Sequence, residues 1–214
     1  MTIPAENTAR VGKIPAKQAR SLRTVERIET AARELLQEHS WQTLTMASLA
    51  KAAGAHVGSI YARFESKEAL LDHLDEVYCR EVIDLNCALL PKMEEMGFED
   101  ALATFIDGIA RYHRKNSGLV RTLILETRIG DHPSFHARSK RMNGTLQDVY
   151  KLLSNTGKHE GRSMPPEKIA WVFFLILSTV REAVLFPKGL PRPTTSLQKQ
   201  IQEITAMALA YLNA

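Results

Sequence analysis

An all-α fold follows from three features of this 214-residue sequence. Apolar residues recur at three- and four-residue spacing along most of its length. No window alternates strictly, as a half-buried strand would, and the separators between periodic stretches are short glycine, proline and polar runs. With 44% hydrophobic residues, the chain has enough apolar side chains to bury a core. The pattern divides into a small three-helix unit and a larger helical bundle.

Residues 1–20 carry Arg10, Lys13, Lys17 and Arg20 without apolar periodicity and read as a flexible basic arm. From Ser21, the residues Leu22, Val25, Ile28, Ala32, Leu35 and Leu36 mark the inner face of a first helix that ends near His39, before Trp41. Thr45 can cap a short second helix whose Leu49 and Ala50 face inward. Gly54 stops that helix, since glycine takes the left-handed conformation of a helix end at little cost. A third short helix spans about His56 to Phe64. Ser66 caps a fourth, with Glu68 at the positive end of its dipole. Its pattern continues through Ala69, Leu70, Leu74, Val77, Val82 and Leu85 to a break at Pro91. The boundary between the two units is placed inside it, giving 21–70 and 71–214. Helices near 98–115, 117–128, 133–155, 165–186 and 194–213 follow. Their separators are Gly97, the turn at 116–118, Gly130 with Pro133, the polar loop at 157–163 and the stretch 187–193.

Charge narrows the function. The net charge is +4 and the pI about 9.1, with ten Lys/Arg against seven Asp/Glu in residues 1–70 but near balance beyond. Attraction for a polyanion therefore concentrates in the N-terminal third. Cys79 and Cys87, eight residues apart on one helix, lie roughly 12 Å apart and cannot pair. They read as two buried thiols of a reducing cytoplasm. The N-terminal segment lacks the apolar run of a secretory signal. The longest apolar run, 169–180, falls short of the roughly 20 residues a membrane span needs. A soluble, cytoplasmic protein without a membrane partner is expected.

Two short helices joined by a glycine turn, inside a three-helix unit, make a helix-turn-helix. Its second helix must enter a groove about 12 Å wide, so its leading residues have to be small or polar. Val57, Gly58, Ser59 and Ala62 meet that demand, while Ala55, Ile60 and Phe64 hold the helix to its own core. Tyr61 and Arg63 offer donors at the groove wall, and Lys67 adds a charge at the next helix start. Double-stranded DNA is the implied partner.

The run from Thr24 to Leu71, TVERIETAARELLQEHSWQTLTMASLAKAAGAHVGSIYARFESKEALL, resembles the DNA-binding domain of the TetR family of bacterial repressors. The likeness covers an amphipathic first helix, an aromatic before the second, LTMASLAKAAG, and then GSIYARFESKEAL. It implies that Thr45 caps the second helix and touches a phosphate, and that Met46 and Ala47 join the DNA contacts. Val57, Gly58, Ser59 and Ala62 then face the groove, and Tyr61 and Lys67 meet phosphates. His56 stands where the family usually has a capping serine, and imidazole caps less well. Arg63 replaces a common histidine and keeps a fixed charge near the backbone. With Val57 and Ala62 apolar, few hydrogen bonds to bases are on offer. Thymine methyls, DNA shape and the N-terminal arm are expected to share the reading.

In the larger unit the helix 165–186 is apolar almost all round from Ile169 to Val180, which asks for cover from a second chain. The last helix carries a similar stripe. Phe173, Leu177, Val180 and Val184 on one, with Ile201, Ile204, Leu209 and Leu212 on the other, are the expected homodimer interface. The resemblance also implies such a four-helix interface and, with it, a palindromic site. A cavity for a small-molecule effector, whose identity the sequence does not reveal, is expected among Phe105, Ile109, Tyr112, Leu123, Met142, Leu146, Tyr150, Trp171 and Phe174. His113, Arg121, Glu126 and Arg128 read as exposed or paired instead.

No GxxxxGK[ST], GxGxxG or G-x-S-x-G motif points to an enzyme, and no cofactor is expected. Asp131, His132 and His136 are the one metal-like grouping, but Pro133 suits a helix start there, so Asp131 and His132 read as cap residues and no metal is expected. An architectural DNA-binding protein would not need so large a second unit. The reading is a dimeric, ligand-responsive transcriptional regulator, a repressor released from its operator by an effector acting through the helix at 66–90.

Overall fold

The computed structural model describes residues 16–129, 133–185 and 196–213, and among these every regular element is a helix. The order is α1 (Ala16–Glu38), α2 (Met46–Ala52), α3 (Val57–Tyr61), α4 (Lys67–Glu94), α5 (Phe98–Lys115) and α6 (Ser117–Leu123). A π-helical turn, Ile124–Ile129, extends α6; then come α7 (Pro133–His159), α8 (Pro166–Leu185) and α9 (Leu197–Asn213). The first 15 residues of the basic arm, together with Gly130, Asp131, His132 and the stretch 187–193, lie outside the described residues. None of the described helices is long and apolar enough to cross a membrane.

Helix α1 starts at Ala16, ahead of the expected Ser21. The residues AKQAR at 16–20 are strong helix formers, so the helix extends outward without any apolar stripe to announce it. Helix α4 runs through Pro91 to Glu94 instead of breaking there. Pro91 sits in the last turn and is exposed, as is Cys87, whose carbonyl loses its helical donor to water rather than to a buried void. Cys87 is thus an exposed thiol, and only Cys79 is buried.

Two apolar cores form. The first gathers Ile28 and Leu36 from α1, Leu49 from α2, Ile60 from α3, and Leu70, Leu71 and Leu74 from α4. It also takes Leu119 and Leu123 from α6, so the N-terminal unit reaches past residue 70 and is fastened to the bundle. Gly118 allows this: a Cβ there would lie 2.2 Å from the Leu36 carbonyl oxygen. The second core holds Phe98, Phe105, Val149, Val172, Ile176 and their neighbours from α5, α7, α8 and α9. Tyr78 on α4 packs against both.

The packing of α8 and α9 reverses the expected interface. Phe173, Val180, Ile201, Ile204 and Leu212 are buried in the protein's own second core. Leu209 is half-buried against that core, Leu177 lines an internal cavity, and the Val184 side chain lies outside the description. The outward residues are Trp171 (51% exposed), Phe174 (59%), Leu175, Met207 (56%) and Tyr211. A helix apolar on every side gives no sign of which side its own chain will cover.

Candidate nucleic-acid interface and internal cavity

Helices α2 and α3 are set by local chemistry. Thr45 is extended and its Oγ1 accepts from the Ser48 N–H at 3.0 Å, while Ser48 Oγ accepts from the Thr45 N–H at 3.1 Å, a reciprocal capping box. Gly54 turns the chain at φ 57°, in the left-handed region. Arg27 reaches from α1 and donates through Nε to the Ala53 carbonyl at 3.0 Å, and its guanidinium also meets the Gly54 carbonyl. The C-terminal carbonyls of α2 and its turn are thereby held by a cation. In α3, Ile60 and Phe64 are buried, and Phe64 lies 5.1 Å from the His73 ring. The opposite face is open: Thr45, Ala47, His56, Val57, Gly58, Tyr61 and Ala62 are exposed, and Ser59 is half-buried. A Cβ on Gly58 would have nothing within 4 Å, so the fold itself makes no demand for glycine there.

A cavity of about 330 Å³ lies within the bundle, between α4, α5, α6 with its π turn, α7 and α8. Its apolar wall includes Val82, Ile109, Leu123, Met142, Leu146 and Leu177. Its polar wall includes Tyr78, Asn86, His113, Arg128, Arg181 and the buried Asp75–Arg138 ion pair, which joins α4 to α7. The His113 Nδ1–H donates to the Ile109 carbonyl at 3.0 Å, so Nε2 is left to face the Tyr78 hydroxyl at 3.5 Å. Burial, with the Arg181 charge second, pushes the His113 pKa down to about 4. Burial likewise pushes the Tyr78 hydroxyl up to about 12.

Comparison with known proteins agrees with this arrangement. Residues 28–74 match the family model described as "Bacterial regulatory proteins, tetR family". Residues 28–74, the helix-turn-helix segment, are thus similar to that family. Solved structures extend the likeness of fold to the bundle. A putative TetR-family transcriptional regulator from Mesorhizobium loti MAFF303099 is 17% identical, with 90% of this chain and 96% of that one covered at a TM-score of 0.68. A regulatory protein in the tetR family from Rhodococcus RHA1 is 18% identical, covering 89% and 97% at 0.69. The ketosteroid transcriptional regulator KstR2 of Mycobacterium tuberculosis is 19% identical, covering 90% and 95% at 0.66. Among curated proteins, none matches the chain in sequence.

Within this frame, several expected site residues move. Met46 is only 6% exposed and packs in the first core, so it offers no surface to DNA. Arg63 folds back along α3, its Nη1 donating to the Ser59 carbonyl at 2.8 Å. The Lys67 ammonium donates to the Trp41 carbonyl and sits 4.7 Å from the Trp41 ring centroid. His56 holds the N-cap position of α3, but its side chain makes no cap hydrogen bond. Of the nine expected cavity residues, Ile109, Leu123, Met142 and Leu146 line it. Phe105 is solid core, Tyr112 donates to Glu81 at 2.7 Å away from the cavity, and Tyr150 donates to the Pro166 carbonyl. Trp171 and Phe174 point outward. His113 and Arg128, expected elsewhere, are cavity residues. Among the described residues no group of three or more His, Cys, Asp or Glu is placed to hold a metal.

His113 makes a pH prediction. Its folded pKa, about 4, lies below the ordinary 6.5, so the unfolded chain takes up the proton first as pH falls. The neutral ring's contribution should be intact above about pH 6.5 and be lost towards pH 4, amounting to on the order of 3 kcal/mol. Urea unfolding across this window should show that decline, and His113→Leu should flatten it. An equal decline in the variant would remove His113 as its source.

Proposed function

We propose that this protein is a homodimeric repressor that binds a palindromic operator and leaves it when a small molecule occupies the bundle cavity. The observation that carries the reading is the open face of α3, small in profile and locked from behind by Ile60 and Phe64. In this reading Val57, Gly58, Ser59 and Ala62 enter the major groove, with Val57 against a thymine methyl and Gly58 permitting close backbone approach. Thr45, Ala47 and Tyr61 contact the phosphate backbone, and His56, unengaged as a cap, adds a donor at the helix start. Arg63 and Lys67 supply positive charge beside the groove, and have to trade a protein carbonyl for a phosphate to contact it directly.

The exposed apolar strip on α8 and α9 supports a second copy as partner, and two-fold symmetry places recognition helices about 34–36 Å apart. Coupling runs along α4. Tyr78 touches both cores and lines the cavity, and Asp75 lies one residue beyond Leu74 of the first core. An effector that prefers a different setting of α4 shifts the dimer away from the operator spacing. Such a regulator acts on chromosomal DNA in the cytoplasm.

Selection of bound fragments from a random DNA pool tests the reading. A palindrome with half-sites about one helical turn apart is expected, and Val57→Ser should change the preferred base within each half. A pool without sequence preference would instead identify an architectural binder.

A further inference from the structure

The charges lining the cavity do not balance. Three arginines, Arg128, Arg138 and Arg181, face a single carboxylate, Asp75, and Asp75 is already paired with Arg138. Arg128 is exposed at the mouth, where water serves it. Arg181 is half-buried, and among the described residues no carboxylate lies within ion-pair distance of it. Glu182, its neighbour, lines an adjoining outer cleft that Arg128, Leu177 and Arg181 also line, and it makes no ion pair with Arg181. A cation taken out of water without a counter-ion is costly to the fold. Burial first, and Arg128 after a partial offset from Tyr78, weigh against the charge on Arg181. His113 is neutral and adds no anion.

A second orphan lies in the same cavity. Asn86 is 2% exposed, and its Nδ2 donates to Thr145 Oγ1 at 3.0 Å. The Thr145 hydroxyl in turn donates to the Met142 carbonyl, so the amide cannot be turned over without setting two acceptors together. Asn86 Oδ1 is therefore a fixed, buried acceptor with no donor among the described residues. Leu123, Met142 and Leu146 supply apolar wall to the same cavity.

We propose that the cavity takes an organic acid whose carboxylate pairs with Arg181 and whose apolar body, bearing a hydroxyl or amide N–H for Asn86, lies against Leu123, Met142 and Leu146. This rests on the reading of the cavity as the effector site and names the chemistry of the effector. The cavity volume sits at the small end of small-molecule sites, which favours a single ring or a medium-length chain over a large conjugate. The carboxylate can also draw Arg138 away from Asp75, loosening the ion pair that joins α4 to α7.

Calorimetric titration of the full chain tests the assignment. The probes are hexanoate, octanoate, decanoate, benzoate and 4-hydroxybenzoate, each beside its matching alcohol and amine. At least one acid should bind about tenfold or more tightly than its alcohol, with the amine weakest. Arg181→Gln should erase that preference and Arg181→Lys should keep it. The assignment is overturned if no acid binds, if an alcohol or amine matches its acid, or if Arg181→Gln leaves the preference intact. DNA release is read separately by mobility shift. An acid that binds through Arg181 yet leaves DNA bound upholds the ligand class and sinks the effector reading. An alcohol or amine that binds the cavity as well as its acid and releases DNA does the reverse.

Discussion

Gly118→Ala should lower the unfolding midpoint by roughly 6–12 °C. The added Cβ would lie 2.2 Å from the Leu36 carbonyl oxygen, 2.4 Å from its carbon and 2.6 Å from the Gln37 nitrogen. All three are backbone atoms, so no rotamer change relieves the clash, and α6 has to withdraw from the end of α1. Withdrawal stretches the hydrogen bonds from Ser117 Oγ, at 3.0 Å, and the Gly118 N–H, at 3.3 Å, to Gln37 Oε1. It also pulls Leu119 and Leu123 from the first core. Overpacking of this kind costs about 3 kcal/mol, and each kcal/mol moves the midpoint of a chain this long by about 2–4 °C. Gly144→Ala is the control. It lies within α7 with nothing within 4 Å of the new Cβ, and should gain about 0.5–1 kcal/mol. Calorimetric midpoints that agree between the two variants would show that α1 and α6 do not rely on this approach.

What could be read from the sequence follows the range of the interactions. Thr45 and Ser66 as caps and Gly54 as the left-handed turn are properties of neighbouring residues, and each stands in the structure as expected. Ser48, three residues after Thr45, was a readable capping-box signal that the glutamate-based pattern does not include. Met46 misled because the first turn of a helix-turn-helix alternates between core and groove within two residues. Arg27 at the α2 turn and Asp75 with Arg138 are pairings across 26 and 63 positions, which periodicity along one helix cannot register. The cavity was half visible for the same reason. Ile109, Leu123, Met142 and Leu146 fall on inward stripes, whereas His113 and Arg181 are cavity residues only because α5 and α8 meet there. On α8 the aromatic and aliphatic residues on opposite faces look alike, so the sequence identified the right helices for an outer apolar face and the wrong residues on them.

Phe174→Glu combined with Met207→Glu should convert the proposed homodimer to monomers at micromolar concentration and weaken binding to the proposed operator by about 100-fold or more. Both side chains are more than half exposed in the single chain, so neither replacement removes a contact from its core. Also exposed on α8 and α9 are Trp171, whose ring meets Phe174 edge-on at 5.6 Å, and Tyr211, with Lys168 5.6 Å from its ring. An apolar strip of this kind, spread over two packed helices, fits its own two-fold copy. In the proposed dimer each substituted carboxylate would be buried against apolar side chains, and each unpaired buried charge costs about 3–5 kcal/mol. A micromolar dimer is held by about 8 kcal/mol, so the pair of substitutions, doubled by symmetry, exceeds it. Leu177, one of the expected interface residues, lines the cavity, and a charge there would disturb ligand and fold together. Sedimentation at micromolar concentration decides the matter. A variant that stays dimeric moves the interface off this face, whereas a folded monomer that binds an isolated half-site weakly shows that operator affinity comes from two half-sites held in register.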